Sequence, residues 1–367
     1  MNKQDLDTPY ILIDLEKVEK NIADMQQIAN RAGIVLRPHA KTHKIPELAI
    51  KQIAAGAIGI TVAKIGEAEV MAAAGIQNIF IAYPIVGEQK LNRLRCLAQT
   101  VDLTIAVDSL VVAREVSLAF LQEPGISVDV LVEMDCGFGR VGVPEGQPVL
   151  DLAKQIAALP GLVFRGIITF AGHSYDAKDV FEIEQIAISE GNAARRTAKL
   201  LINNGLRADV VSGGSTPTAR FANHMNGITE IRPGTYLFGD LMQVSLGSHR
   251  LADCALTVKT TIVSRPAADR AVIDAGTKVF TMDGEDSPIG TGRGYVVGHP
   301  GIIVSWFTEE HGILYLPEEA RDLAVGQTLE IIPVHCCGVI NMFDEAAAIR
   351  HEEVEAIWNI QGRGKVR

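Results

Sequence analysis

Long apolar runs are absent from this sequence. No stretch reaches the roughly 18 residues that cross a bilayer, and the opening segment Met1–Pro9 lacks the apolar core of a secretory signal. Cysteine is scarce as well, because an odd count of five in a chain of 367 residues does not make a disulfide framework. We therefore expect a cytoplasmic protein with reduced thiols.

An excess of positive charge is also absent. The formal net charge is −10 at pH 7, whereas general binders of nucleic acid or of anionic membranes need net cationic surfaces. The hydrophobic content of 47% and the charged fraction of 21% are ordinary for a soluble globular protein. Because 367 residues exceed one typical core, we expect one large domain plus a smaller one, with no nucleic-acid or membrane partner.

Short β-branched runs alternate with amphipathic stretches through the first two thirds of the chain. A helix is predicted over Leu15–Ala32, with Asp14 as its N-cap. Eight strands alternating with helices fit a (β/α)₈ TIM-type barrel over residues 14–242, which is an α/β fold. An open doubly wound sheet is the alternative, and the count of eight favours the barrel. The predicted strands are Ile34–Arg37, Ile58–Val62, Ile79–Ala82, Leu103–Val107, Val128–Glu133, Phe164–Thr169, Val210–Ser212 and Ile228–Ile231. The predicted helices between them are Pro46–Ala55, Gly66–Ala74, Glu88–Gln99, Ser109–Gln122, Pro148–Leu159 and Asp179–Asn203.

The pattern changes after about Gln243, where strand-like runs separated by turn residues replace the helical periodicity. This change predicts a second, mostly β C-terminal domain over residues 243–367. The early run Tyr10–Ile13 precedes the first helix, so we expect residues 1–13 to join that domain. The predicted strands of this part are Ala255–Val263, Arg270–Ile273, Gly301–Val304, Ile313–Leu316, Gln327–Pro333 and Glu355–Ile360.

The first barrel strand ends in a basic segment, Arg37–Lys44, which reads RPHAKTHK. Chemistry in such barrels lies at the C-terminal ends of the strands, so Lys41 is held where a site is expected. A lysine that is desolvated or close to other cations can be neutral enough to form a Schiff base. The arginine, the histidines and the second lysine nearby predict a positive local field, which suits a phosphorylated aldehyde cofactor. A solvated basic loop is the alternative.

Two glycine-containing loops follow the seventh and eighth predicted strands. Glycine lets the backbone approach an anion, and a helix N-terminus offers unpaired amide donors to it. The loops after these two strands are also where barrels of this class bind phosphate. A tight turn with an N-cap is the alternative for the first loop, and Arg232 begins the second. The candidate phosphate-binding residues are Gly214, Ser215, Thr216, Gly234, Thr235 and Tyr236.

Two further loops follow the fifth and sixth predicted strands. Gly137–Gly142 matches the dinucleotide pattern GxGxxG, but Pro144 breaks the expected helix start and no acidic residue stands about 20 residues further on. We therefore reject a dinucleotide site and keep Arg140 as a residue that approaches the cofactor, with a surface ion pair as the alternative. His173, close to Tyr175, is a candidate for proton transfer to a substrate oxygen. A hydrogen-bonded loop histidine is the alternative there.

The segment Val334–Cys337 reads VHCC and contains a possible metal pair. On an extended chain, residues two apart point to one face, so His335 and Cys337 are expected to converge while Cys336 points away. Imidazole and thiolate suit Zn²⁺, and two protein ligands leave coordination positions for water or substrate. A buried histidine beside two small apolar cysteines is the alternative.

Together these segments resemble the D-threonine aldolase / D-serine dehydratase family of fold-type III pyridoxal-phosphate (PLP) enzymes, which have an alanine-racemase-like N-terminal barrel. The resemblance runs nearly end to end. It is carried by Asp7–Pro9 with Asp14, Arg37–Lys44, Glu133–Gly142, Gly213–Thr216 with Gly234–Tyr236, and the pair His335 and Cys337.

The resemblance implies PLP on Lys41, a divalent metal near the substrate (Zn²⁺, with Mn²⁺ or Mg²⁺ as alternatives), a D-amino acid substrate and a homodimer. Two positions depart from the family pattern. Phe170 stands where relatives often carry a tyrosine, and the metal pair is His-x-Cys, whereas many aldolases have His-x-Asp. The His-x-Cys pair resembles that of the D-serine dehydratases.

We therefore expect a lyase acting on 3-hydroxy-D-amino acids, and we favour dehydration to a 2-oxo acid and ammonia. In that reaction Lys41 removes the Cα proton and the metal polarises the 3-hydroxyl. In the alternative, aldolase-type cleavage, His173 takes the hydroxyl proton and the products are glycine and an aldehyde. An amino-acid racemase and a PLP-carrier protein without turnover are further alternatives.

Overall fold

The computed structural model describes residues 1–123, 125–283 and 289–367. Its strands are β1 (Tyr10–Asp14), β2 (Val35–Leu36), β3 (Ile60–Val62), β4 (Asn78–Ile81), β5 (Asp102–Val107), β6 (Val128–Asp135), β7 (Val143–Pro144), β8 (Leu162–Ile168), β9 (Val210–Gly213), β10 (Glu230–Ile231), β11 (Leu256–Ala267), β12 (Arg270–Ile273), β13 (Gly294–Val296), β14 (Ile303–Phe307), β15 (Gly312–Tyr315), β16 (Thr328–Pro333), β17 (Glu345–Arg350) and β18 (Glu353–Asn359). Its helices are α1 (Leu15–Ala32), α2 (Pro46–Ala54), α3 (Ile65–Ala73), α4 (Glu88–Ala98), α5 (Leu110–Leu121), α6 (Gln147–Ala157), α7 (Val180–Asn203), α8 (Thr216–Ala219), α9 (Leu241–Ser245), α10 (Thr277–Phe280) and α11 (Cys336–Ile340).

The chain divides into two compact units. The barrel unit contains residues 24–41, 46–234 and 365–367. The strand-rich unit contains residues 1–23, 42–45 and 235–364. Of these, the sequence predicted residues 14–23, 42–45 and 235–242 in the barrel domain. Lys41 and Thr42 are bonded neighbours assigned to different units.

The barrel unit contains eight parallel strands in the order β2-β10-β9-β8-β6-β5-β4-β3. A parallel bridge between His39 and Thr61 joins the two end strands of this order. All eight predicted strands are present, and the predicted α/β barrel is confirmed. Strands buried on both faces read as continuous apolar runs, and β4 and β5 carry such runs because helices cover the outer face of the sheet.

The predicted helices are also present, with ends that differ from the prediction by at most two residues. Asp14 Oδ1 accepts hydrogen bonds from the amides of Glu16 and Lys17, each at 3.1 Å, so Asp14 caps α1 as predicted. None of the helices in the described residues is long and apolar enough to cross a membrane.

The strand-rich unit contains a sheet in the order β14-β15-β12-β11-β1-β17-β18, to which β13 and β16 are attached. The N-terminal strand β1 lies inside this sheet, antiparallel to β11 and parallel to β17. The second, mostly β domain of the predicted fold class is therefore confirmed. Strand β17 has no counterpart among the predicted strands.

Candidate active site

Lys41 lies in a short 3₁₀ helix, Ala40–Thr42, directly after β2, and its side chain is exposed. Its amide donates to Nδ1 of His39 at 3.3 Å, and the amide of His39 donates to the carbonyl oxygen of Pro233 at 2.9 Å. The bridge from His39 to Thr61 holds the same segment to the next strand. The main chain of Lys41 is thus fixed at the C-terminal end of a barrel strand, as the sequence predicted.

Two of the basic residues around Lys41 in the sequence are buried, and one of them is paired with a carboxylate. Arg37 is buried and its Nε donates to Glu230 Oε2 at 2.7 Å. Lys44 is buried as well, and its Nζ donates to Asn341 Oδ1 at 2.9 Å. An arginine paired with a buried carboxylate contributes little net field to a neighbour. The sequence could not show which of its basic residues turn inward.

The loop after β6 is organised by Asp135. Its carboxylate accepts from the amides of Gly137, Phe138 and Gly139 at 2.9 to 3.1 Å. Burial works to raise the pKa of Asp135, but these three amides outweigh burial and lower it. The amides that a dinucleotide phosphate would need are therefore bound by the protein itself, and the next helix, α6, begins only at Gln147. The rejection of a dinucleotide site stays a prediction, and neither feature speaks for such a site.

Arg140 lies over two aromatic rings. Its guanidinium carbon is 4.8 Å from the ring centre of Phe170 and 5.4 Å from that of Phe138. The two rings meet edge to face at 5.8 Å. Cation–π contacts of this kind orient a guanidinium without neutralising it. Arg140 is therefore an oriented, exposed cation, and Phe170 supports it.

Glu133, near the end of β6, is buried. Burial raises the pKa of its carboxyl group, although Arg232 and Arg140 act in the opposite direction.

The loop after β9 has the backbone conformation that the sequence predicted, but two of its amides are not unpaired as predicted. Gly214 has φ +84°, which favours glycine, and Ser215 caps α8 through Thr218. The amide of Gly214, however, donates to Glu190 at 3.1 Å, and the amide of Ser215 donates to Thr218 Oγ1 at 2.8 Å. The prediction that these two amides are unpaired is wrong. A bound phosphate would have to draw on other groups of the loop, or displace these contacts.

Glu190 and Arg232 make hydrogen bonds that hold the loop after β9 and the end of β8. Oε1 of Glu190 accepts from Thr169 Oγ1 at 2.6 Å in addition to the Gly214 amide. Arg232 donates to Ser212 Oγ and to the carbonyl oxygen of Thr169, both at 2.8 Å. Burial lowers the pKa of Arg232. Arg232 therefore points into the barrel rather than to the second half of a phosphate site. Glu190 lies in the middle of α7, and the sequence did not suggest a role for it because its context is that of an ordinary helix.

Gly234, Thr235 and Tyr236 follow β10. Thr235 and Tyr236 open a short 3₁₀ helix, Thr235–Leu237, and both are buried. Within the strand-rich unit, Thr235 Oγ1 lies 3.8 Å from Cys337 Sγ. Thr235 is thus beside the candidate metal pair, which the sequence did not predict.

His173 lies in the short 3₁₀ helix Gly172–Asp176 that follows β8, and its side chain is half-buried. Its Nδ1 is buried and has no hydrogen-bond partner among the described residues. The next residue, Ser174, contacts Ser215 through their hydroxyls at 2.9 Å, which ties this turn to the loop after β9. A ring nitrogen without a partner at the C-terminal end of a barrel strand is available for proton transfer.

The extended geometry predicted for the metal pair is wrong. His335 has an extended backbone but occupies the N-cap position of α11, so Cys336 and Cys337 form the first turn of a helix. His335 and Cys337 nevertheless shift each other's pKa. Burial favours neutral His335, but Cys337, Asp240 and Asp283 together outweigh burial and raise the pKa of His335 to about 10. The pKa of Cys337 is lowered, first by its contact with Cys336 and then by His335.

Two acidic residues contact the segment that carries His335 and Cys337. Asp283 contacts Nδ1 of His335, and a carboxylate in that position fixes the orientation of a metal-binding imidazole. Asp240 is fully buried and accepts from the amide of Cys336 at 3.0 Å. Burial raises the pKa of Asp240 to about 6. Both were missed because they are far from residues 335–337 in sequence and carry no motif of their own.

The candidate residues fit the two groups that the sequence suggested, a divalent metal and PLP. A thiol held close to an imidazole offers S and N ligands to a borderline-soft divalent ion, and no cluster of three or more potential ligands occurs in the described part of the chain. A pair therefore leaves positions open. For PLP, an exposed lysine amine, an oriented arginine and the unpartnered ring nitrogen of His173 all follow C-terminal ends of barrel strands. Those residues fit an anionic aldehyde.

Comparison with known proteins identifies two family domains in this chain. The alanine racemase N-terminal domain model matches residues 13–242, and the model described as "Putative serine dehydratase domain" matches residues 255–349. The chain is 36% identical to the D-threonine aldolase of an Arthrobacter species over 98% of this chain and 93% of that one. It is 33% identical to the D-threo-3-hydroxyaspartate dehydratase of a Delftia species, over 96% and 97% of the two chains.

Solved structures agree with these matches. The D-threonine aldolase of Filomicrobium marinum superposes with a TM-score of 0.91 at 32% identity, over 99% of this chain and 97% of that one. A cysteine-to-alanine mutant of D-threo-3-hydroxyaspartate dehydratase, in its metal-free form, gives 0.90 at 32% identity over 98% of both chains. The fold, the domain matches and the near-complete coverage lead to one conclusion: the chain belongs to the D-threonine aldolase and D-serine dehydratase family of fold-type III, PLP-dependent lyases.

Proposed function

We propose that this protein is a PLP- and divalent-metal-dependent lyase of 3-hydroxy-D-amino acids, and that it acts as a dehydratase that forms a 2-oxo acid and ammonia. The observation that carries the proposal is that Cys337 Sγ lies 3.4 Å from the hydroxyl oxygen of Thr42, the residue after Lys41, while His335 stands at the N-cap of the helix that carries Cys337. Loss of a hydroxyl group needs help that a lysine alone does not give. A metal-binding pair provides it.

Lys41 is the residue proposed to hold the cofactor. Its backbone is fixed by His39, while its side chain is exposed and able to reach a ligand. Once the substrate amine has replaced it, the Lys41 amine is free to accept the Cα proton at Nζ. When bound, PLP supplies a ring that stores the negative charge left at Cα.

Arg140 and the loops after β9 and β10 are proposed to hold the anionic parts of the cofactor. Arg140 is oriented by Phe138 and Phe170. The candidate phosphate-binding residues stay those named from the sequence, with hydroxyl groups carrying more of the binding than amides, because the amides of Gly214 and Ser215 have internal partners.

His335 and Cys337 are the proposed metal ligands, with Zn²⁺ as the expected ion. A metal held there supplies Lewis acidity toward the 3-hydroxyl of the substrate. Thr42 Oγ1 lies 3.4 Å from Cys337 Sγ, and one peptide bond separates Thr42 from Lys41.

The choice of dehydration rests on the ligand type. Solved variants of the D-threo-3-hydroxyaspartate dehydratase replace a histidine and a cysteine that are two positions apart, and the cysteine variant is in a metal-free form. His335 and Cys337 have the same spacing.

Aldol cleavage is the second candidate, and two observations favour it. The unpartnered Nδ1 of His173 offers a base for the hydroxyl proton, which cleavage to glycine and an aldehyde requires. The Arthrobacter relative, at 36% identity, is a D-threonine aldolase.

Product analysis separates the two candidates. The purified holoenzyme is given D-serine, D-threonine and D-threo-3-hydroxyaspartate, with the L-enantiomers as controls. We expect a 2-oxo acid and ammonia in equal amounts from the D-substrates, and no glycine. Glycine with an aldehyde would replace the dehydratase proposal by the aldolase one. Loss of turnover after treatment with EDTA is expected in both cases, whereas a racemase would stay active and a PLP carrier would show no turnover at all.

A homodimer and a cytoplasmic location stay predictions. Light scattering of the holoenzyme tests the first of them.

A further inference from the structure

Asp240 connects the starts of two short helices in the strand-rich unit. Its Oδ1 accepts from the amide of Gln243 at 2.9 Å, which caps α9. Its Oδ2 accepts from the amide of Cys336 at 3.0 Å, the first amide of α11. The carboxylate is fully buried, so both contacts are made away from competing solvent. One side chain therefore serves two helix N-termini.

The second of these contacts replaces a cap that α11 lacks. His335 occupies its N-cap position but makes no side-chain cap hydrogen bond, whereas N-cap residues are usually Ser, Thr, Asp or Asn because their oxygens accept such amides. With Asp240 supplying the acceptor, the His335 imidazole is not needed for capping. The imidazole contacts Asp283 instead.

A backbone contact holds the other side of His335. The amide of Met242 donates to the carbonyl oxygen of Val334 at 3.1 Å. The residues before and after His335 are thus both attached to the segment that begins at Asp240. This arrangement limits how far the turn that carries the metal pair can move.

We propose that Asp240 is a positioning residue that fixes the turn of His335 and Cys337 in a metal-binding conformation before the metal arrives. The proposal rests on the function proposed for this pair, and it adds a group outside the set of ligands. Groups that orient ligands in this way typically change metal affinity by roughly 10- to 100-fold when they are replaced.

Asp240→Asn is the test variant because it keeps the shape of the side chain and one acceptor oxygen. Its NH₂ group faces one of the two amides that now point at a carboxylate oxygen, so one hydrogen bond is lost. Asp274→Asn is the matched control. Asp274 lies in the same unit, and its carboxylate accepts from the Thr8 hydroxyl at 2.6 Å and from the Thr261 amide at 2.9 Å. Asp274 therefore accepts hydrogen bonds comparable to those of Asp240, and none of its hydrogen bonds in the described residues involves His335 or Cys337.

The experiment uses the PLP-bound enzyme after removal of metal with EDTA. Co²⁺ is titrated in, and its binding is followed through the thiolate-to-cobalt absorbance. We expect Asp240→Asn to raise the dissociation constant for Co²⁺ roughly 10- to 100-fold, with the visible absorbance of bound PLP unchanged. Asp274→Asn should bind Co²⁺ like the wild type, even if its melting temperature falls.

Two results separate failure of this inference from failure of the proposed function. If folded Asp240→Asn binds Co²⁺ as tightly as the wild type, Asp240 does not position the pair. If the wild type itself gives no thiolate-to-cobalt band, His335 and Cys337 are not a metal site. In that case both the proposed function of the pair and the role of Asp240 are wrong.

A measurement on the wild type covers the case in which Asp240→Asn does not fold. Hydrogen–deuterium exchange of residues 334–340 should be slow in the metal-free holoenzyme, because the turn is already held. Fast exchange that slows only after Co²⁺ is added would overturn the proposal.

Discussion

The hydroxyl oxygen of Thr42 lies 3.4 Å from the sulfur of Cys337, although 295 positions separate the two residues in the chain. Together with the contact from Cys336 and the charge of His335, this hydroxyl lowers the pKa of the Cys337 thiol. A thiolate is the form that binds metals. The surroundings of Cys337 therefore favour the form that a metal site needs.

Replacing Cys337 by Ala should remove the metal but leave PLP in place. The variant loses the sulfur ligand, whereas no candidate cofactor residue is changed. We expect metal content, measured by atomic emission, to fall to background, and turnover to fall with it. Cys96→Ala is the control because Cys96 is exposed and outside the site. Unchanged turnover in Cys337→Ala would exclude metal assistance through this residue.

Replacing Lys41 by Ala should abolish the visible absorbance that a lysine-bound PLP gives. Because the amine is also the proposed base for the Cα proton, turnover should fall by roughly 10²- to 10⁴-fold or more. Lys154→Ala, at an exposed position of α6, should keep both the absorbance and the activity. A visible band that survives in Lys41→Ala would show that another lysine holds the cofactor.

Replacing His173 by Asn should affect the two candidate reactions differently. Asn keeps a polar side chain of similar size but cannot accept a proton as imidazole does. We expect aldol cleavage, where it occurs, to fall by roughly 10²- to 10⁴-fold in kcat, and dehydration of D-serine to change by less than tenfold. The check is the ratio of 2-oxo acid to glycine formed by the variant and by the wild type. An equal loss of both products would contradict a role specific to cleavage.

Stability should depend on pH through Glu133. Burial raises the pKa of this carboxyl group in the folded protein above its ordinary value of 4.5. Below pH 4.5 the group is protonated in both states. As the pH rises from there through the folded pKa, the unfolded chain ionises first, so folding stability is lost. The loss grows with the difference between the folded and the unfolded pKa.

The test compares wild type with Glu133→Gln, which cannot ionise. The unfolding free energy of the wild type relative to the variant should decrease between pH 4.5 and pH 7 in urea melts. A difference that stays constant over this range would show that the carboxyl group is not perturbed by folding.

Much of the fold was readable from the sequence because barrel strands are buried on both faces and their helices keep a strict period. Asp14 as the cap of α1 was readable for the same local reason. Strand β17 was not, because its sequence EAAAIR is rich in alanine, which has little preference for strands. It is a strand through its pairing with β1 and β18, and that information is not local.

The site was predicted less completely than the fold. Lys41 and His173 are proposed from the sequence because position at a strand end and residue type together suggest chemistry. The sequence did not reveal that Arg37 turns inward to Glu230, since the spacing of basic residues does not give the direction of their side chains. The helix at Cys336 was missed for a related reason. Its first amide is capped by Asp240, which lies 96 positions earlier.

The position of β1 between β11 and β17 affects how the chain folds during its synthesis. The first strand leaves the ribosome long before either neighbour exists, and its exposed edges stay unpaired until then. Pairings that close such long loops also form slowly. Lys44 Nζ donates to Asn341, which lies 297 positions later in the chain, and the Lys44 carbonyl oxygen accepts from the amide of Gly362. The turn that follows Lys41 therefore acquires its native neighbours long after it is synthesised.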